Sequence, residues 1–281
     1  MLNIKKPLIY PSVLVFACLA SNADSAPLSK ILNADNEDPY TTINSVFGAT
    51  ATNDVADGCS HIESPEKHIT SVYDQELRKQ VFEIVSHGDD EDCVTGTAQR
   101  ARTEIKVDKA SPLAVKIAGQ ETTWSFLLKL DDGFQPTDSF THLFQAKAEN
   151  LSGEKEKQPR IRLSLYYRQG VPTVELNSAD DDGNFNNVPL VSVNASKLIG
   201  RWVQVILKAR WSDQGSLKFT LKRHADGKRI KYYANPNIDL WHSEWEYMRF
   251  KAGIYREYDS ISMQDVSARF ANIKLVISDL R

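Results

Sequence analysis

The residues best suited to chemistry sit in four period-two stretches, and in each the polar side chains share one face. In "RARTEIK", Arg100, Arg102, Glu104 and Lys106 alternate with Ala101, Thr103 and Ile105. In "THLFQAK", Gln145 and Lys147 oppose Phe144 and Ala146, and parity puts His142 on the Phe144 side, toward the core. In "RIRLSLYYR", Arg160, Arg162, Ser164, Tyr166 and Arg168 oppose Ile161, Leu163, Leu165 and Tyr167. In "RFKAGIYREYD", Lys251, Gly253 and Tyr255 oppose Ala252 and Ile254. A solvated sheet face would satisfy such alternation by itself. The composition is more specific, because these faces are rich in Arg and Tyr and poor in Ser and Thr. A guanidinium fork suits a carboxylate and a phenol ring suits a sugar, so the faces fit an acidic carbohydrate. His87 closes the stretch "VFEIVSH", where a strand meets a loop.

The elements that must position these residues are strands. Period-two runs recur from "KQVFEIVSH" through "RARTEIKV", "TTWSFLLKL", "FTHLFQAKAE", "RIRLSLYYR", "TVELNS", "RWVQVILKARW", "GSLKFTLKRH", "KRIKYY" and "YMRFKAGIYR" to "ARFANIKLVIS". Asp226-Gly227 falls where a hairpin turn is wanted, and "LDDGFQP" and "DDDGNFNN" are turn-like. No long helical pattern interrupts them, so the expectation is an all-β two-sheet sandwich or jelly roll over residues 76–281. Residues 24–75 read as an arm packed on the sandwich, with "TTINSVFG" as a short helix or a turn. The chain has 281 residues, 41% of them hydrophobic, which is enough for one sizeable core. A net charge of -3 gives no global field for nucleic acid, so any attraction for a polyanion must be local.

The first 23 residues read as an export signal: a basic "MLNIKK", an apolar "PLIYPSVLVFACLA" too short to span a bilayer, then small residues. The protein is thus expected to be secreted or periplasmic, free of the membrane after cleavage; a lipid anchor on Cys18 is the competing reading. Removal of the signal leaves Cys59 and Cys93, and an even pair in an exported chain is most simply one disulfide.

Several of these stretches, in this order, resemble those of the jelly-roll polysaccharide lyases. "QRARTEIK" resembles their R-x-E motif and "FTHLFQAK" their Gln-bearing strand. "RFKAGIYRE" is similar to the "YFKAGxYxQ" strand of jelly-roll alginate lyases and to the "RPKWGIYR" strand of the heparin-lyase-I-like and glucuronan-lyase-like group. "VFEIVSHGDDEDC", "TTINSVFG", "DGCSH" and "DVSARFANIKL" also fit that group, so the likeness runs from about Tyr40 to Ile277. The resemblance implies a concanavalin-like jelly roll with a concave substrate cleft. It also implies β-elimination on a uronate-containing polysaccharide, which leaves 4,5-unsaturated products. A carboxylate-bearing polymer would be the partner of a monomeric enzyme.

That chemistry assigns roles as expectations. The C5 proton is a poor acid because it lies beside a carboxylate, so the carboxylate charge must be offset, a base must reach C5, and an acid must protonate the leaving oxygen. Tyr255 is expected to protonate the leaving oxygen and is also a candidate base. Gly253 beside it would leave room for the sugar ring. His87 is expected as base or carboxylate neutraliser, because Lys147 stands two residues after Gln145 where the alginate-lyase pattern has His. Gln145 and Arg102 are expected to bind and neutralise the carboxylate, with Arg100, Lys147, Lys251, Arg162 and Tyr166 along the sugar chain. Glu104 would hold Arg102 or Arg100 in place. Members of the family include Ca²⁺ binders, so Ca²⁺ is the one cofactor the resemblance allows, for example near the acidic run 89–92. The "DDDGNFNN" segment reads as a hairpin turn before it reads as a Ca²⁺ loop. The alternative function is a non-catalytic carbohydrate-binding jelly roll, stacking sugars on Trp124, Trp202, Trp211, Trp241 or Trp245. A glycoside hydrolase is disfavoured, since Glu244 and Glu246 lack a third acid at the spacing expected.

Overall fold

The computed structural model describes residues 26–58, 67–88, 100–150, 159–179, 188–257 and 264–278. The export stretch, Cys59, Cys93, the acidic run 89–92 and "DDDGNFNN" lie outside the described residues.

Period-two burial leaves each strand with one apolar face, and the chain covers those faces by stacking two antiparallel sheets as a jelly roll. The first sheet orders β13 (Arg229–Ile238), β12 (Gly215–Arg223), β11 (Val203–Arg210), β6 (Glu121–Leu130), β15 (Val266–Ser278), β4 (Lys79–Ser86) and β3 (Ile69–Asp74); β1 (Leu28–Leu32) also pairs with β15. The second orders β10 (Val191–Asn194), β9 (Val171–Ser178), β8 (Pro159–Arg168), β7 (Thr141–Asn150), β14 (Trp245–Glu257), β5 (Arg100–Lys106) and β2 (Asp54–Val55). Every strand expected from alternation forms. The segment read as an arm does more than pack on the sandwich: it gives β1 and β3 to the first sheet and β2 to the second. Its helix, α1 (Pro39–Phe47), follows the "TTINSVFG" reading. Asp38 caps it by accepting from the Tyr40 N–H, Pro39 opens it, and Gly48 ends it. α1 buries Ile43 and Phe47.

Aromatic rings fill the space between the sheets. Trp124 stacks 5.1 Å from Phe250, and Phe126 lies 5.9 Å from Phe144 and 5.7 Å from Phe270. All five tryptophans are buried, Trp241 being the most exposed at 9%. None is therefore a surface platform for sugar stacking.

Two local departures from regular pairing decide what the second sheet can do. In β7, His142 pairs with Ser164 but Phe144 pairs with Leu163, so Leu143 is an extra residue, a β-bulge. Leu143 and Phe144 both enter the core, at 0% and 1% exposure. The bulge reverses the parity of the strand, so His142 turns to the outer polar face and not to the core as alternation predicted. In β14, Gly253 has φ +148°, and a Cβ there would lie 2.2 Å from the Thr103 carbonyl oxygen of β5. Gly253 thus permits close approach of two backbones, which differs from the expected role of making room for a sugar.

A Gly253→Ala variant is expected to lose more than about 1 kcal/mol of stability, because the backbone must shift to admit the methyl group. Denaturant unfolding followed by tryptophan fluorescence measures this, and an unchanged midpoint would contradict the packing argument.

Candidate active site

The outer face of the second sheet is built strand by strand from the alternation. β5 presents Arg100, Arg102, Glu104 and Lys106, which pair across to Glu257, Tyr255, Gly253 and Lys251 of β14. β7 presents His142, Gln145 and Lys147; β8 presents Arg162, Ser164 and Tyr166, of which Arg162 and Ser164 pair with Gln145 and His142. β9 completes the face with Thr173, Glu175 and Asn177 opposite Tyr166, Ser164 and Arg162.

A charge cluster lies beneath this surface. Lys251 is 2% exposed and its Nζ sits 2.6 Å from Asp54 and 2.9 Å from Glu104. Lys106 Nζ reaches the other oxygen of Asp54 at 2.5 Å, and Arg102 approaches Asp54 at 3.8 Å. Burial alone would raise the Asp54 carboxyl, but Lys251 and Lys106 outweigh it and hold that group well below the usual carboxylate range. Glu104, fully buried, also accepts from Gln145 Nε2. Lys251 was expected to hold a sugar carboxylate; the structure commits it to two internal carboxylates instead. Glu104 holds Lys251 and Gln145 where Arg102 or Arg100 was expected, while Arg100 pairs with Glu257 at 2.6 Å.

Above the cluster, three aromatic groups meet. Phe140 stacks on His142 at 4.3 Å, and the Tyr255 ring lies 5.5 Å from Phe140 and 5.6 Å from His142. Arg102 covers the Tyr255 ring at 4.0 Å. His142 Nδ1 is 2.7 Å from Ser164 Oγ. Burial pushes the His142 imidazole well below its ordinary pKa, and Arg162, Arg100, Lys251 and Arg102 push the same way. His142 is therefore neutral at pH 7 and able to accept a proton. Ser164, by bonding Nδ1, leaves Nε2 for other work.

The structure brings Tyr255, Gln145, Arg102, Arg100, Lys147, Arg162 and Tyr166 onto this one face. It does not bring His87 there. His87 directly follows β4 in the other sheet, 3.0 Å from Asp265 and with its ring 5.2 Å from that of His68. Its carbonyl and that of Ser86 accept from Arg256, which leaves β14 on the side opposite Tyr255. The histidine beside Tyr255 is His142, which parity reasoning missed. The signal was present in the adjacent large apolar pair Leu143-Phe144, which breaks an otherwise regular alternation. Tyr166 is held among cations, with Arg168 at 4.6 Å and Arg162 at 5.9 Å from its ring. Arg168 is in turn paired with Glu175. Lys147 makes no ion pair among the described residues. Burial lowers its ammonium to about 8, helped by Lys251, Arg249 and Arg102. Among the described residues, no group of three or more His, Cys, Asp or Glu side chains is arranged to hold a metal ion.

Three comparisons bear on the arrangement. A family model described as polysaccharide lyase matches residues 66–273. No curated protein matches the chain by sequence. Among solved structures, the fold is similar to an endo-β-1,4-glucuronan lyase from the fungus Trichoderma reesei. That match has a TM-score of 0.54 at 12% identity and covers 80% of this chain and 93% of that one. It is also similar to the family 7 alginate lyase A1-II′, at TM-score 0.55 and 13% identity over 77% of this chain and 84% of that one. An alginate lyase from Pseudomonas aeruginosa gives TM-score 0.51 and 14% identity over 76% of this chain and 87% of that one.

Two outcomes follow from the electrostatics. Lys251→Met strips Asp54 and Glu104 of a shared cation and is expected to cost about 3–5 kcal/mol. Asp54 has a depressed folded pKa, so its contribution is present above the unfolded value and lost as pH falls through the folded one. The gap between variant and wild type should therefore narrow below about pH 4. Urea titrations at pH 7 and pH 3.5 test this. Lys147 loses its charge as pH rises through about 8. Affinity for a carboxylated oligosaccharide should thus fall between pH 7 and pH 9, and Lys147→Arg should abolish that step in calorimetric titration.

Proposed function

This chain belongs to the polysaccharide lyase family, and we propose that it cleaves a uronate-containing polysaccharide by β-elimination with Tyr255 and His142 as its proton-transfer pair. The observation that carries the reading is the pairing of a neutral, buried imidazole with a phenol 5.6 Å away, under a guanidinium, on a face crowded with cations. The glucuronan and alginate lyases of similar fold act on polymers of that chemical class. The N-terminal sequence supports export, and the protein would then meet its polymer outside the cytoplasm.

The steps follow from the residues. Arg102 and Arg162 draw the uronate carboxylate onto the face, with Lys147 adding a charge that is held at pH 7 and lost as pH rises through about 8. Gln145 keeps one amide N–H on Glu104 and offers the other to a carboxylate oxygen. Neutralising that carboxylate stabilises the aci-carboxylate that forms when C5 loses its proton. His142 Nε2 takes the C5 proton, with Nδ1 anchored on Ser164. The C5–H and C4–O4 bonds break, a C4=C5 double bond forms, and the Tyr255 hydroxyl gives its proton to O4. The proton on His142 and the proton missing from Tyr255 then re-equilibrate through solvent, and no net redox change occurs.

The test is ultraviolet absorbance of the unsaturated uronate, with glucuronan, alginate and a glycosaminoglycan as substrates. Tyr255→Phe and His142→Ala should each lower kcat by about 10²–10⁴-fold, whereas His87→Ala should leave it within twofold. Binding without any absorbance rise across the panel would make this a carbohydrate-binding protein. Loss of activity in His87→Ala, with His142→Ala unaffected, would move the base to the other sheet.

A further inference from the structure

The far side of the sandwich carries a second, unbalanced charge distribution. β11, β12 and β13 adjoin one another at one edge of the first sheet. Together they carry Lys208, Arg210, Lys218, Lys222, Arg223, Arg229 and Lys231 and contain no Asp or Glu. The whole chain has net charge -3, so this edge departs sharply from the rest. Elsewhere on the same sheet, Lys129 and Arg269 lie against Asp74, Glu76 and Glu83. On the basic strands, Lys208 meets Glu121 at 3.1 Å and Arg223 meets Asp226 in the hairpin. Lys218, Lys222 and Arg210 have no ion-pair partner among the described residues.

Strand register orders these side chains. Tyr232, Thr220, Ile206, Ser125 and Lys274 form one row across five strands, facing away from the core. On one side lies a row with Lys218 and Lys208 opposite each other; on the other lies Lys222 paired with Arg229. Tyr232 is 48% exposed, and Arg229 sits 5.3 Å over its ring. The result is a flat lane with an aromatic ring at one end and cations along both flanks. From β13 to β15 it spans four strand gaps, about 19 Å at roughly 4.8 Å each.

We infer that this outer face of the β11–β12–β13 edge is a non-catalytic binding site for an anionic polysaccharide. The inference rests on the reading that the enzyme acts on a polyuronate. The lane matches such a chain in sign of charge: carboxylates meet the flanking cations and a sugar ring packs on Tyr232. It lies on the sheet opposite the one holding Tyr255, so a chain bound here is a tether. A long polymer held at this face is presented to the catalytic face at raised effective concentration, whereas a short oligomer gains nothing.

The test compares wild type with Lys218→Glu/Lys222→Glu on long polyuronate and on tetrasaccharide. The expected result is a KM on the polymer raised roughly 5-fold, each surface charge being worth about a factor of two to five, with tetrasaccharide kinetics unchanged. In the Tyr255→Phe background, elution from immobilised polyuronate should move to lower salt. Unchanged polymer KM and unchanged elution would overturn the inference, as would binding of the face to anionic lipid vesicles in preference to polymer. If wild type neither binds nor cleaves any polyuronate, the proposed function fails on its own terms. Retention on dextran sulfate then judges the face separately: a shift in the double variant keeps it as a polyanion site, and no shift overturns it.

Discussion

The ammonium of Lys251, sealed between Asp54 and Glu104, is the interaction on which the rest of the site depends. Its position fixes three strands at once: Asp54 belongs to β2, Glu104 to β5 and Lys251 to β14. Removing two carboxylates and an ammonium from water is costly, and the cost is met only because each charge has a partner at hydrogen-bond distance. The cluster also sets the electrostatics above it. Burial does most to make a proton on His142 unfavourable, and Arg162, Arg100, Lys251 and Arg102 add to it, so the imidazole stays neutral in a setting crowded with cations. One buried network therefore holds the sheet in register and adds to the burial that keeps the group proposed as the base neutral.

The bulge at Leu143 is the second requirement. Without it, His142 would follow Phe144 into the core and Gln145 would be the nearest polar residue of β7 to Tyr255. A single extra residue turns His142 outward while leaving Gln145 and Lys147 on the polar face. Phe140 then clamps the imidazole from one side and Ser164 from below. Bulges beside active sites commonly re-aim one side chain in this way.

Much of this was legible before any coordinates. The sandwich, all the longer strands and the facing of β5, β8 and β14 follow from alternation, because one-sided burial imposes period two wherever the strand is regular. Four short strands were not legible: β1 of five residues, β2 of two, β3 of six and β10 of four, none with enough alternation to show a period. Nor was the commitment of Lys251 to internal pairs, since a sequence shows that charges share a face but not that Asp54 closes over them from 46 residues before the start of β5. His142 was misread because parity was carried through a bulge. His87 drew the base role from the resemblance, because Lys147 stands where the alginate-lyase pattern has His, and it follows a strand of the other sheet.

The order of strands has a consequence for synthesis. β14 and β15 are the last two strands among the described residues, yet each lies in the interior of a sheet: β14 between β7 and β5, β15 between β6 and β4. Until the C-terminal segment leaves the ribosome, each sheet exists only as two unjoined parts with raw edges facing an empty slot. Closure therefore relies on contacts between the extremes of the sequence, the regime of slow folding. A nascent chain lacking its final 40 or so residues carries neither Tyr255 nor the strand that would bring β5 and β7 together. The proposed catalytic face is therefore assembled only once β14 has been made, and a product interrupted before that strand lacks it by construction.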